Sequence, residues 1–320
     1  MTNSSAVPGP DDDEPRVAGG AGRFAPSPSG DLHLGNLRTA LLAWLFARST
    51  GRSFIVRMED LDRVQPGADA RQLADLGALG LDWDGPVLYQ SRRTDRYGAA
   101  ITRLAAHGLT YECFCTRREI REAASAPHLG DPAADGSYPG TCRNLSPAEI
   151  ASRRSTGRPS ALRLRAGVDH WTIDDELAGP FTSVVDDVVL RRNDGVAAYN
   201  LAVVVDDAAQ GIDQIVRGDD LLTSAPRQAY LGSLLGLPTA RYAHVPLALN
   251  SSGQRLAKRD GAVTLADLAA VGIDPTQVLG MIAASLRMTD LGEPVTPGRL
   301  LQRFDPASLP NEPWIVTPLR

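Results

Sequence analysis

A chain of 320 residues, 43% of them hydrophobic and 22% charged, can bury a sizeable core, and its formal charge of −5 excludes a generally basic nucleic-acid-binding surface, so any RNA contact has to be local. No apolar run approaches the roughly 20 residues of a membrane span, and residues 1–20 lack the basic start and apolar centre of a secretory leader, so a cytoplasmic location is expected. Three cysteines, an odd number for a cytosolic chain, argue against a disulfide framework.

Residues 1–20, with the run Asp11-Asp12-Asp13-Glu14, are too polar to fold and read as a disordered tail. From Gly22 short apolar strands alternate with helices: a strand near Arg23–Ala25, a helix over 35–49, a strand over 53–58, helices near 69–79 and 93–106, and a strand over 109–114. This is the rhythm of a parallel sheet covered by helices, a doubly layered α/β fold. Ligands on such sheets sit beyond the carboxyl ends of the strands, where the segments carrying His33 and Glu59 emerge. Residues 113–160 break the rhythm with a stretch rich in Ala, Pro, Gly and Asp, and read as an insertion with a helix at 117–124. Ser146-Pro147-Ala148-Glu149 has the pattern of a capping box opening a second short helix. Strands are then predicted at Ala161–Leu164 and Val184–Leu190, with Asn193-Asp194-Gly195 as a hairpin turn. Leu201–Val205 and Ile215–Arg217 are expected to return to the sheet, followed by a helix near 224–236. Helices near 264–271 and 275–286 are expected to form a small C-terminal cap, and no internal repeat is present.

The most informative stretch is Arg23-Phe24-Ala25-Pro26-Ser27-Pro28-Ser29-Gly30-Asp31-Leu32-His33-Leu34-Gly35-Asn36. It reads as a strand, a Pro/Gly-rich turn and a helix start, where free N–H groups and the positive end of the helix dipole favour phosphate. A glycine beside that helix start lets the backbone approach a nucleotide closely. Further along stand Glu59-Asp60-Leu61-Asp62-Arg63, Tyr199, Ile215-Val216-Arg217-Gly218-Asp219-Asp220 and Arg255-Leu256-Ala257-Lys258-Arg259.

Together these segments resemble the class I aminoacyl-tRNA synthetases, in the form of the glutamyl branch, over nearly all of residues 22–265. The resemblance implies a Rossmann-like parallel sheet with ATP held by His33, Gly35, Asn36 and Lys258, magnesium arriving with the nucleotide, and His33 and Lys258 as the catalytic pair. It also implies a glutamate pocket of Arg23, Ala25, Ser27, Glu59, Tyr199 and Arg217. Arg23 offers a planar fork for a carboxylate, and Glu59 can receive an ammonium, although Glu59 could instead pair with Arg57 or Arg63. The segment at Lys258 stands where the family has Lys-Met-Ser-Lys-Ser. Arg255, Ala257 and Arg259 depart from that motif, keeping charge and losing hydroxyls. A mobile cationic loop of this kind can close over the leaving pyrophosphate. The acid pairs Asp186-Asp187, Asp206-Asp207 and Asp219-Asp220 read as strand-end and turn residues, because neighbours on a strand face opposite ways and cannot chelate together.

Cys113, Cys115 and Cys142 are either three reduced thiols or three corners of a tetrahedral metal site. Within the family, the short glutamyl-queuosine tRNA(Asp) synthetases carry C-x-C followed by Y-x-x-x-C, which Tyr138-Pro139-Gly140-Thr141-Cys142 matches. That resemblance implies one structural zinc per chain with Tyr138 as fourth ligand, His128 being the chemically more ordinary alternative. The stretch beyond the Lys258 loop is shorter than an ordinary domain, so the anticodon-binding helical domains of a full glutamyl-tRNA synthetase are expected to be missing. The resemblance therefore implies a monomer that transfers glutamate to queuosine in the anticodon of tRNA(Asp), with charging of a tRNA 3′ end, or a non-enzymatic tRNA-binding relic, as alternatives. The expected division is a tail (1–20), the Rossmann-like catalytic domain in two halves (21–112 and 161–240), the zinc-bearing insertion (113–160), and the Lys258 loop with a helical cap (241–320).

Overall fold

The structure, a computed structural model, describes residues 19–124, 137–256 and 263–317. In chain order its elements are β1 (Ala21–Phe24), α1 (Leu34–Ser49), β2 (Ser53–Met58), α2 (Ala68–Ala78), β3 (Leu88–Tyr89), α3 (Thr94–Ala106) and β4 (Thr110–Cys113). There follow α4 (Arg117–Ala124), α5 (Pro147–Ser155), β5 (Ala161–Leu164), β6 (His170–Asp175), β7 (Gly179–Val184), β8 (Val189–Arg191), α6 (Tyr199–Ala209), β9 (Ile212–Gly218) and α7 (Ala225–Leu234). The chain continues with β10 (Arg241–Val245), β11 (Ala248–Leu249), α8 (Leu265–Ala270), α9 (Pro275–Ser285), α10 (Pro297–Arg303) and β12 (Trp314–Ile315).

Seven strands form the main sheet in the order β3-β2-β1-β9-β10-β6-β7. All neighbours run parallel except the β6–β7 hairpin at one edge. β4, β5 and β8 form a separate antiparallel sheet, and β11 pairs with β12. Helix α1 is apolar on almost every side because it is the central helix of the fold. Leu37, Leu41 and Leu45 are completely buried, together with Phe54 of β2 and Leu268 and Ile282 of the C-terminal helices. Each such side chain contributes about 1.5–3 kcal/mol by leaving water. Phe46 meets Phe304 edge to face at 5.1 Å, which ties the C-terminal helices to α1. Within the described residues no helix is long and apolar enough to cross a membrane.

Two predicted strands differ from the structure. Leu201–Val205 is not a strand but the first half of α6. A short apolar run carries no period that separates a buried strand from a buried helix, and the consecutive valines tilt the reading toward a strand. Val184–Leu190 is broken: β7 ends at Val184 and β8 begins at Val189, with Asp186 and Asp187 between them. The Asn193-Asp194-Gly195 turn is present, with Gly195 at φ 88° and Arg192 N–H donating to Val196 C=O at 2.8 Å. The β6–β7 hairpin, β10 and α10 have no counterpart among the sequence expectations.

The helical reassignment changes the reading of Asp206-Asp207. Asp186-Asp187 and Asp219-Asp220 do lie between strands or in the turn after β9, but Asp206 and Asp207 are buried on α6. Successive helical residues diverge by about 100°, so the two carboxylates serve separate clusters. Asp206 takes hydrogen bonds from Arg93 at 2.6 Å, Tyr97 at 2.7 Å and Gln90 at 2.8 Å, and so ties α3 to α6. Asp207 faces the sheet.

Candidate active site

β1, β2, β9 and β10 end along one side of the sheet, and past their carboxyl ends opens a cleft of about 1430 Å³. Arg23, Ala25, Ser27, His33, Gly35, Asn36, Glu59, Tyr199 and Arg217 all line it, as do Cys113 and Cys115 at its far wall. The segment after β1 is pinned across the strand ends, since the Glu59 N–H donates to the Pro26 carbonyl at 2.9 Å and the Gln72 amide to that of Ser27 at 3.1 Å.

His33 is the N-cap of α1. Its Nδ1 accepts the Asn36 N–H at 3.2 Å, while the Asn36 side chain accepts the His33 N–H at 3.1 Å. Nδ1 being an acceptor, the neutral ring carries its proton on Nε2, leaving that N–H free to donate to an anion. Burial, with the nearby Arg255 charge, lowers the His33 pKa below its ordinary value, so the ring is neutral at physiological pH. Gly35 is required here: a Cβ at this position would lie 2.9 Å from the His33 ring and 3.3 Å from Ala248. The helix start therefore presents bare backbone and a fixed imidazole donor, as a phosphate site needs.

The opposite end of the cleft holds a chain of buried charges. Arg23 donates from Nε to Asp207 at 3.2 Å, Arg57 donates to the same carboxylate at 2.7 Å, and Arg57 reaches Glu59 at 3.4 Å. Asp207 is held below its usual pKa: burial alone would raise it, but Arg23 and Arg57 outweigh that. Glu59 goes the other way, since its desolvation exceeds what Arg57 and Arg23 return, and its pKa is raised. Tyr199 opens α6 and stands 41% exposed in the cleft.

Arg217 differs from Arg23. It is only 5% exposed, and its hydrogen-bond partners among the described residues are all neutral: His244 Nε2 at 3.0 Å, the Gln228 side-chain oxygen at 2.7 Å and the Leu221 carbonyl at 3.4 Å. A buried cation without a contacting carboxylate is unstable unless a ligand supplies one. Arg57, Asp207, His244 and Gln228 are not among the site residues expected from the sequence. Arg57 alone carries a usable signal, a cation inside the apolar strand Ser53–Met58.

Lys258 and His128 lie outside the described residues, as do Ala257 and Arg259. The flanks of the Lys258 segment nevertheless come back to the helix start. Thr264 forms a bridge with His33, and Leu34 N–H donates to the Val263 carbonyl at 2.8 Å. On the other flank Arg255 pairs with Asp220, and Leu256 is buried.

Cys113 leaves β4, and Cys115 and Cys142 face it. The three sulfurs lie within 4.8 Å of one another, with Cys115 and Cys142 3.4 Å apart, and the set could hold a metal ion. Zinc–sulfur bonds of about 2.3 Å in a tetrahedron require separations of this order. Tyr138 places its hydroxyl 3.4 Å from the Cys113 sulfur and 4.0 Å from that of Cys115, and the hydroxyl accepts the Cys142 N–H at 2.8 Å. Contact with Cys142, reinforced by Tyr138, holds the Cys113 thiol below its ordinary pKa, while burial raises that of Cys115 and contact with Cys113 raises that of Cys142, so one thiolate is shared among the three. A thiolate is the ligating form. The three sulfurs are thus a donor set that fits a metal ion. Arg163 covers the Tyr138 ring at 3.6 Å.

The mostly parallel sheet, with the His33 helix start and the buried Arg217 opening into one cleft at its strand ends, is that of a class I synthetase catalytic domain. Residues 21–294 match the family model described as tRNA synthetases class I (E and Q), catalytic domain. A glutamyl-Q tRNA(Asp) synthetase of Nocardia farcinica is 67% identical over 299 residues, covering 93% of this chain and 94% of that protein. Another of Cutibacterium acnes is 49% identical, covering 90% and 85%. The glutamate-tRNA synthetase of Elizabethkingia anophelis superposes with a TM-score of 0.79 at 28% identity, over 93% of this chain and 68% of that one. A glutamate tRNA ligase of Elizabethkingia meningosepticum, solved with its amino acid, gives 0.76 at 29% identity, and this chain spans 66% of its length. The chain belongs to the glutamyl-Q tRNA(Asp) synthetase family.

Proposed function

We propose that this chain activates L-glutamate with ATP and transfers it to the queuosine base in the anticodon of tRNA(Asp). The observation that carries the reading is Arg217, a buried guanidinium with neutral partners, opening into the same cleft as the His33 helix start. Its unfilled donors suit the side-chain carboxylate of glutamate, with Arg23 and Tyr199 beside it, and Glu59 receives the ammonium. Ala25 and Ser27 supply the pinned backbone between the two ends of the cleft. Gly35 and Asn36 belong to the ATP-binding helix start.

A glutamate α-carboxylate oxygen attacks the α-phosphorus of ATP, the bond to the β-phosphate oxygen breaks, and pyrophosphate leaves with the magnesium that ATP brings. No protein nucleophile is involved. His33 Nε2–H, the α1 N-terminus and Lys258 stabilise the charge that builds on the phosphates. A hydroxyl of the queuosine ring then attacks the activated carbonyl, loses its proton and displaces AMP, forming an ester. The exposed Arg63 and Arg117 stand at the cleft wall, where anticodon-loop phosphates would pass. A loop nucleotide can be splayed into a pocket, which a paired base cannot.

Cys113, Cys115, Cys142 and Tyr138 hold one structural zinc, which clamps the 113–160 insertion beside the cleft. The protein acts as a monomer, with the catalytic domain split into the halves 21–112 and 161–240 and the central strand β10 following directly on the second. Charging with radiolabelled glutamate tests the whole reading: tRNA(Asp) containing queuosine takes up label and tRNA(Asp) lacking it does not. Equal labelling of both would return the chain to ordinary 3′-end charging.

A further inference from the structure

Arg217 is held from behind by two residues that do not line the cleft, His244 and Asp175. An arginine Nε–H can only donate, so His244 Nε2, 3.0 Å away, is the acceptor. The ring proton is therefore on Nδ1, which donates to Asp175 Oδ2 at 2.6 Å. Asp175 is itself fixed by the N–H groups of Leu177 at 3.0 Å, Ala178 at 2.9 Å and His244 at 3.1 Å. The exposures are 5% for Asp175 and 3% for His244, so water cannot substitute for these bonds.

The order of the three groups matters. A carboxylate in direct contact with Arg217 would occupy its fork and cancel its charge, as Asp207 does for Arg23. An imidazole between them orients the guanidinium through Nε alone and keeps the negative charge one ring away. We propose that His244 and Asp175 are positioning residues for amino-acid recognition, fixing the Arg217 guanidinium in plane while leaving it uncapped for the substrate carboxylate. The proposal rests on the glutamate reading of the cleft. It also demands a neutral His244, since a proton on Nε2 would set N–H against N–H. The charged and titratable groups around the ring are Asp175 from β6, Arg217 from β9, Asp219 just beyond β9, Arg23 from β1, and Tyr242, stacked at 5.9 Å on the same strand.

Glutamate-dependent pyrophosphate exchange by the full chain tests this. His244→Leu is expected to raise the KM for glutamate about ten- to a hundredfold, with the KM for ATP changed less than about twofold, the scale of one hydrogen bond to a charged group. His244→Gln, which keeps an acceptor for Arg217 and a donor for Asp175, is expected to recover most of the loss. In the unmutated protein the KM for glutamate should climb as pH falls through the His244 pKa, which burial holds below the ordinary imidazole value, and His244→Gln should be flat there. An unchanged glutamate KM in His244→Leu, or equal rises for glutamate and ATP, would overturn the proposal. If His244→Leu does not fold, a pH-independent glutamate KM in the unmutated protein overturns it equally. Absence of any glutamate-dependent exchange in the unmutated protein would instead remove the glutamate reading, and the positioning role with it.

Discussion

Arg217 and Arg23 stand at neighbouring strand ends of the same cleft, yet among the described residues only Arg23 of the two has a contacting carboxylate. That difference makes Arg217 the guanidinium whose charge a substrate carboxylate would meet directly, with Arg23 beside it already paired to Asp207. Arg217→Gln should raise the KM for glutamate at least about tenfold and narrow the preference over glutamine, because the neutral amide then leaves no buried charge unpaired. Pyrophosphate exchange with each amino acid measures it, and undiminished discrimination would move the recognition elsewhere. Glu59 allows a test with the opposite sign for stability. Its folded-state pKa is raised by burial, so its contribution is favourable below the ordinary value of about 4.3 and is lost as pH rises through the folded value. Glu59→Gln should therefore melt no lower than the parent at pH about 7.5, with the difference shrinking toward pH about 4, while glutamate activation falls. A melting temperature lowered equally at both pH values would make Glu59 a structural partner of Arg57 instead.

Helix α6 shows how an element can connect a site to its scaffold. Its Asp207 compensates Arg23 and Arg57 together, while Asp206, one position earlier, binds α3. Asp207→Asn leaves two buried guanidinium groups short of a counter-charge and should cost about 3–5 kcal/mol, the range for breaking a buried pair, read as a lowered denaturant midpoint. Asp207 has a lowered folded pKa, so its stabilisation is present above the ordinary carboxylate range and disappears as pH falls through the folded value. The penalty in Asp207→Asn should accordingly vanish in acid; a penalty independent of pH would mean packing, not charge, is responsible. The cysteine segment is the second such element. Purified protein should carry about one zinc per chain, and Cys142→Ser should lose it. Metal content of Tyr138→Phe and His128→Ala identifies the fourth ligand as whichever substitution lowers it, and metal-free protein of full activity would leave three reduced thiols.

At the scale of the molecule, the His33 end and the Arg217 end of the cleft lie past the carboxyl ends of neighbouring strands, and the segments after β1 and β2 are joined there by backbone hydrogen bonds within residues 23–59. Among the described residues that arrangement is complete without RNA. Glutamate-dependent pyrophosphate exchange should thus proceed without tRNA, and an absolute requirement for tRNA would contradict a preformed site. Lys258→Ala should slow that exchange by roughly 10²–10³-fold, the usual effect of losing one preorganised charge-stabilising group.

The sequence by itself determined the features whose signals are local. The turn and helix start at Arg23–Asn36, the capping box at Ser146–Glu149, the early alternation of strands and helices, and the Cys-x-Cys with its later Tyr-x-x-x-Cys are each legible within a few residues. Such signals record backbone conformation and ligand spacing, which chain neighbours largely set. Tertiary structure alone decided the rest. Leu201–Val205 is a helix whose Leu201 and Ala202 are buried with Tyr97 of α3 and Leu231 of α7, and the Asp207 that follows meets Arg23 across 184 positions of sequence. Arg217 met His244 27 positions away, through a strand that no short-range pattern announced. Pairing between buried charges depends on which strands become neighbours in the sheet, and that order, β1-β9-β10-β6, follows from packing the whole chain.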